Sequence, residues 1–245
     1  MALYILIIGL CLCALTTGIF LHFRLSKGGV VGVLTKTIAS FCFVVFALFL
    51  STSKSGESFY GGYTITCLIV GLVCGLIGDI LLDLKVIYPF HKKQYLLGGM
   101  TAFSIGHIFN IFGLILLALE QVDIFASPYL ITLGIISLGC LVLTLVIWIV
   151  SVKVLKFNFE KFTPIVNVYS FILLLTTALS VYLSFIGLTA PVFVLAIGFA
   201  LFLASDLILS MQYFGGKQES KPLTFANHLL YYAAQIIIAA FIYFI

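Results

Sequence analysis

Charged side chains are scarce in this chain. They make up 8% of it, against 63% hydrophobic residues, a balance that excludes an ordinary soluble domain and belongs to multi-span membrane proteins. Other absences narrow the reading further. At 245 residues the chain is too short for a helical bundle plus a soluble catalytic domain, and no linker or low-complexity tract divides it. The six cysteines form no C-x-x-C pair and all fall within apolar runs, so neither a disulfide framework nor a zinc site is indicated. Apolar packing is their expected role. No phosphate-binding loop and no metal-ligand spacing occurs, so no cofactor and no metal are expected. The net charge of +4 is spread along the chain rather than pooled in a patch, which argues against nucleic acid as a partner.

What is present is a series of apolar runs, each long enough to cross a bilayer core as a helix. Eight are expected: Ala2–Leu21, Thr37–Thr52, Tyr60–Leu84, Leu96–Leu119, Ser127–Val152, Phe162–Ile186, Pro191–Tyr213 and Thr224–Ile245. The fold class is therefore all-α, a polytopic membrane protein whose eight helices form a single bundle domain over residues 1–245. Pro89, Pro164, Pro191 and Pro222 sit at loops or span ends, where proline punctuates rather than breaks a helix.

The basic residues support the count. Arg24, Lys27 and Lys36 fall in or beside the first loop, and Lys85, Lys92 and Lys93 in the third. Lys153, Lys156 and Lys161 occupy the fifth, Lys217 and Lys221 the seventh, and only Lys54 an even-numbered loop. Such a bias places the odd loops in the cytoplasm and both termini on the opposite face. The first run has its basic residues after it, the reverse of a secretory signal, and reads as a retained helix.

Against this background four polar residues stand out inside apolar runs: Asp79, His107, Asp206 and Gln235. A carboxylate at membrane depth is costly, so it rarely faces lipid and usually marks a functional site. The two aspartates lie four spans apart and so descend in the same direction. Gly78-Asp79 and Ser205-Asp206 are each followed just under thirty positions later by a polar residue, His107 or Gln235. A parallel repeat of two four-helix halves would explain this. Asp79 lies roughly 7 or 8 Å from its helix end at the rise of an α-helix. Asn227, Tyr231 and Gln235 share one face of the last helix, and Phe103, His107 and Asn110 one face of the fourth. The expected picture is one cavity open to the cytoplasm, with the acids near its rim.

Structural readings of the same residues stay open at this point. Either acid could accept hydrogen bonds from a neighbouring Tyr, Ser or backbone group, and His107 could be a satisfied interior histidine. Tyr231, Tyr232 and Gln235 could be interhelical contacts. Asp83, at the membrane edge beside Lys85, reads as a solvated surface group, and His91, Lys92 and Lys93 as topology signals that could also meet a lipid phosphate.

The run G-D-x-x-L at Gly78–Leu82, then Gly99, Phe103 and Gly106-His107, then Ser205-Asp206, then Tyr231-Tyr232-x-x-Gln235, resembles the YhhN-like lysoplasmalogenase family. Asn110 and Asp83 depart from that pattern. The resemblance implies hydrolysis of the vinyl ether bond of a lysoplasmalogen to a fatty aldehyde and glycerophosphoethanolamine or glycerophosphocholine. That chemistry suits the residues. Protonating the alkene needs an acid, and capturing the oxocarbenium ion needs a carboxylate to activate water, as with the two acids of a glycosidase. Asp79 and Asp206 are the expected catalytic pair. His107, Asn227, Tyr231, Tyr232 and Gln235 would bind or orient the reacting groups, with Lys92 or Lys93 at the phosphate of the lysophospholipid. Membrane lipids are the other expected partner. The rival from a different class is a transporter of small solutes or lipids, which also presents polar residues near the midplane.

The charge bias generates a direct test. Single cysteines placed at Ser26 and Ser127 in a background without native cysteines should label from opposite faces of the membrane. Labelling from one face would mean that a span has been miscounted.

Overall fold

The computed structural model describes residues 2–53, 59–119, 127–186, 190–217 and 220–245. Lys54 lies outside them. The helices are α1 Ala2–Ser26, α2 Gly29–Thr52, α3 Phe59–Ile87, α4 Lys92–Leu119, α5 Ser127–Lys153, α6 Thr163–Phe185, α7 Ala190–Tyr213 and α8 Lys221–Phe241. All eight are long and apolar enough to span a membrane, and there is no strand among the described residues. The chain is a multi-pass integral membrane protein.

Several helices run past their apolar runs on the side of the odd loops. Helix α1 continues beyond Leu21 to Ser26, and α2 begins at Gly29 rather than Thr37. Helices α4 and α8 start at Lys92 and Lys221 instead of Leu96 and Thr224. Hydropathy marks where lipid ends, whereas a helix ends where its backbone is capped or turned. Between α1 and α2 the turn is made by Gly28 and Gly29, with φ of 59° and 54°, a conformation open to glycine at little cost. The consequence is large: Lys36, expected in or beside the first loop, sits inside α2 and is buried.

Packing is closest between α3 and α4. Gly99, Gly106 and Gly113 recur every seven residues on α4 and face Leu82, Cys74 and Cys67 of α3. Where lipid offers no hydrophobic drive between helices, small residues let backbones approach and gain dispersion contact. Helices α7 and α8 form the next closest pair. In each half successive helices pack on one another, and across the halves α4 meets α6 as α2 meets α8. Helices α1 and α3 also pack on α8, and no extensive contact of α4 with α5 or α7 mirrors them, so the packing does not establish the expected parallel repeat. Helices α1 and α5 bury the smallest share of their residues and lie outermost.

The glycine seam predicts an asymmetry between substitutions. A first side-chain carbon at Gly106 would stand 3.0 Å from both Cys74 Cβ and the Gly71 carbonyl oxygen, whereas one at Gly139 of α5 meets nothing within 4 Å. Gly106→Val should cost about 1–3 kcal/mol by overpacking. Thermal unfolding in detergent should therefore show a lower midpoint for Gly106→Val and an unchanged one for Gly139→Ala.

Candidate functional site

Asp79 and Asp83 are one turn apart on α3, so their side chains project from the same face. Both are buried. Lys36 of α2 lies between them, its ammonium 3.1 Å from Asp79 Oδ1 and 3.4 Å from Asp83 Oδ1. Arg24, at the end of α1, closes the group: its two terminal nitrogens donate to the two oxygens of Asp83 at 3.1 Å each. Two buried carboxylates thus face two cations, with the forked geometry that guanidinium offers a carboxylate. The expectation for Asp83 is corrected here. It is a fully engaged ion-pair partner and not a solvated surface group, because α1 and α2 extend far enough to bring Arg24 and Lys36 over it.

Asp79 receives two further hydrogen bonds. The Ser40 hydroxyl donates to Oδ2 at 2.6 Å and the Tyr231 hydroxyl donates to the same oxygen at 2.7 Å. Ser40 follows Lys36 by one helical turn, so one face of α2 supplies both contacts. Behind them the Tyr232 hydroxyl lies 2.8 Å from Ser40 Oγ and 3.1 Å from the Lys36 carbonyl oxygen. Gln235 Nε2 donates to the Tyr231 hydroxyl at 2.9 Å. Gly75 makes the room: a side-chain carbon there would fall 2.5 Å from that amide nitrogen.

Asp206 of α7 has a different shell. The Tyr169 hydroxyl of α6 donates to Oδ2, and Ser205 Oγ donates to Oδ1 at 3.4 Å. Among the described residues no cation lies within 4 Å of it. Asn227 of α8 anchors the neighbouring turn by donating to the Ser205 carbonyl oxygen at 2.7 Å.

Both acids line one cavity of roughly 820 Å³, between the ends of α1, α2, α3, α7 and α8. Tyr231, Asn227 and Lys92 also line it, Lys92 at the exposed rim. A second, apolar cavity of about 330 Å³ lies between α4, α5, α6 and α7, with Met100, Trp148, Leu173 and Leu203 in its wall. The two cavities share Leu82, Phe103, Leu209, Tyr213 and Asp206. Asp206 therefore stands at the junction of a charged space and an apolar one.

The remaining residues singled out in the sequence lie elsewhere. Tyr232 and Gln235 form a buried layer behind the wall and touch the acids through Ser40 and Tyr231. His107 is buried against Phe202, ring centroids 4.5 Å apart and edge to face, with Phe199 and Tyr169 beyond. Among the described residues its Nδ1 has no hydrogen-bond partner. Lys93 is outside the cavity, exposed and paired with Glu160 at 3.0 Å. Arg24, Lys36, Ser40 and Tyr169 were missed by sequence reasoning. The available signal was the four-residue spacing of Asp79 and Asp83, since two buried acids on one face require cations nearby. Among the described residues no cluster of His, Cys, Asp and Glu could hold a metal ion.

The YhhN family model matches residues 31–242, and the chain belongs to that family, which includes lysoplasmalogenases. No curated protein and no solved structure matches the chain. The matched region contains Lys36, Asp79, Asp83 and Asp206 but not Arg24.

The ion-pair group makes a testable prediction for stability. Lys36→Met removes the cation shared by two buried carboxylates, and breaking such a pair costs about 3–5 kcal/mol. Combining it with Asp79→Asn removes an uncompensated charge and should recover part of the loss. Unfolding midpoints for the two single variants and the double variant provide the cycle, and purely additive losses would refute the coupling.

Proposed function

We propose that this YhhN-family protein hydrolyses the vinyl ether bond of an alkenyl lysophospholipid, releasing a fatty aldehyde and a glycerophosphoryl head. The observation that carries the reading is that Asp79 and Asp206 line one cavity and yet have different partners, an ion pair for one and a phenol for the other. Asp79, ion-paired with Lys36, supplies the carboxylate. Asp206, with no cation within 4 Å among the described residues, supplies the proton, and its place at the mouth of the apolar cavity puts it beside an alkenyl chain lodged there.

The reaction follows from those positions. The Asp206 carboxyl gives its proton to the β carbon of the alkene, whose π electrons form the new C–H bond. The α carbon becomes an oxocarbenium ion shared with the ether oxygen. Asp79 takes a proton from water as the water oxygen bonds to that carbon, giving a hemiacetal. The hemiacetal then breaks its bond to the glycerol oxygen, which takes the proton back from Asp79. The hydroxyl proton passes to Asp206 as the aldehyde forms, and both acids return to their starting states.

The surrounding residues act by position. Tyr231 and Ser40 fix the Asp79 carboxylate, Gln235 fixes Tyr231, and Tyr169 fixes Asp206. Asn227 holds the turn that carries Asp206. His107 and Gln235 act through Phe202 and Tyr231 rather than on the substrate. Lys92 stands at the rim, where the phosphate of a lysolipid in this cavity would lie.

Purified protein in detergent, given alkenyl lysolipid, should release aldehyde. Asp79→Asn and Asp206→Asn should each lower turnover by roughly 10²-fold or more, the usual worth of a general acid or base. The double variant should be scarcely worse than either single one, because the two act in one mechanism. His107→Ala and Gln235→Ala should reduce the rate less. A folded preparation that releases no aldehyde but carries substrate across liposomes would favour a transporter instead.

A further inference from the structure

One ionisable side chain in the wall of the charged cavity has no part in the hydrogen bonds around the acids. His228 of α8 is buried and lines that cavity together with Asp79 and Asp206. An edge-to-face contact with Phe20 of α1, ring centroids 5.0 Å apart, holds the plane of its ring. Helix α8 starts at the mouth of the cavity, and His228 precedes Tyr231 by three residues. Its backbone therefore lies about 4.5 Å nearer the mouth than that of Tyr231 at the rise of an α-helix. Tyr231 bonds Asp79, and Asp83 is likewise one turn nearer the mouth than Asp79. His228 thus stands at the level just beyond the acids, where the charges that act on it are those of Lys36, Arg24, Asp83 and Lys85.

The polar neighbours of His228 in the wall are already committed. Arg24 holds both oxygens of Asp83. Asn227 gives its amide to the Ser205 carbonyl oxygen. Gln212 donates to Thr224 Oγ1 at 2.9 Å, and the Thr224 hydroxyl donates to the Ser220 carbonyl oxygen at 3.0 Å. The ring nitrogens of His228, by contrast, make no hydrogen bond among the described residues. A neutral imidazole donates from one nitrogen and accepts at the other, and a protonated one donates from both. In either state the ring has an N–H to give, and a buried polar group is seldom left without a partner. The unfilled capacity opens on the cavity, so a ligand there can fill it.

We infer that His228 is a substrate-binding residue that hydrogen-bonds the free 2-hydroxyl of the lysolipid glycerol. The inference rests on the reading of this cavity as a lysolipid site and adds a contact to it. The order of groups along the substrate matches the order of residues along the cavity. With the chain in the apolar cavity and the vinyl ether beside Asp206 and Asp79, the glycerol carbons come next towards the mouth. The hydroxyl stands on the carbon adjoining the one that bears the ether oxygen. His228 is the side chain one step towards the mouth from the acids, and it has a donor to spare. Holding the hydroxyl fixes the rotation of the glycerol and so keeps the β carbon of the alkene turned to Asp206.

The test uses saturated ether lysolipids, which have no alkene to protonate, so binding is measured apart from turnover. The hexadecyl ether of glycerol 3-phosphoethanolamine and its 2-deoxy analogue are titrated against the purified full chain in nonionic detergent, with thermal unfolding as readout. The hydroxyl form should bind roughly three- to tenfold more tightly than the 2-deoxy form, the worth of one neutral hydrogen bond. This comparison needs no variant, so equal binding by the unaltered protein would overturn the inference by itself. His228→Ala should lower the hydroxyl form to the level of the 2-deoxy form, and His228→Asn, which keeps a donor, should restore part of the difference. A merely structural histidine would weaken both ligands alike, and that result would also overturn the assignment. If the preference depends on His228 but no alkenyl lipid is cleaved, the hydrolase reading fails and the contact stands. If aldehyde is released without any preference for the hydroxyl form, the contact alone fails.

Discussion

The structure depends on one buried contact, the Lys36 ammonium held between Asp79 and Asp83. A lone carboxylate or ammonium at this depth would be costly, and desolvating an ion is repaid only when partners and hydrogen bonds are complete. Completing the set requires three helices at once. Helix α3 brings the two acids one turn apart, α2 must continue past its apolar run to reach Lys36, and α1 must continue to Arg24. The tight turn at Gly28 and Gly29 is what allows α1 and α2 to extend side by side to the same level. The ion-pair group thereby fixes the mutual depth of α1, α2 and α3, which apolar packing alone specifies poorly in lipid.

The same contact separates two acids that the sequence presents as equivalent. Asp79 and Asp206 follow a small residue in corresponding helices, and each has a polar or aromatic position about 25 and 29 residues further on. The preceding helix of each half supplies the difference. Helix α2 offers Asp79 a cation and a hydroxyl, whereas α6 offers Asp206 the phenol of Tyr169. The following helices complete the contrast, because Tyr231 bonds Asp79 across the halves while its counterpart by spacing, Phe103, has no hydroxyl to give. Under the proposed reading, two acids with unlike neighbours suit unlike roles in acid–base chemistry, one as proton donor and the other as base.

Much of this was legible in the chain before folding. Composition and run length set the class and the number of spans, since lipid thickness imposes nearly the same length on every helix. The acids announced themselves because so few charges interrupt the apolar runs. Arg24 and Lys36 were hidden for the converse reason. A basic residue just outside an apolar run satisfies the charge bias of a loop, and nothing local distinguishes it from one folded back over an acid. Tyr169 was hidden because tyrosine is unremarkable in a membrane helix, and its partner lies 37 residues away on another helix. Lys92 and Lys93 are adjacent in sequence, but successive helical positions point about 100° apart. One reaches the cavity rim and the other meets Glu160.

Under the proposed reading, the shape of the two cavities also accounts for how an amphipathic substrate would be held. The charged cavity lies among helix ends on the side of the odd loops, and the apolar one lies deeper between α4, α5, α6 and α7. An amphipath with its head in the first and its chain in the second must pass Asp206, because that residue belongs to both walls. The bond next to the head is then the one beside the acids. Helix α5 forms one wall of the apolar cavity, and its extensive packing is on α6 alone. A chain could therefore approach this cavity from the lipid without its apolar length crossing water. The ordering of charge, acid and apolar space along one line is thus both a binding device and a register for the chemistry. Its precision rests on the same helix extensions that bury Lys36.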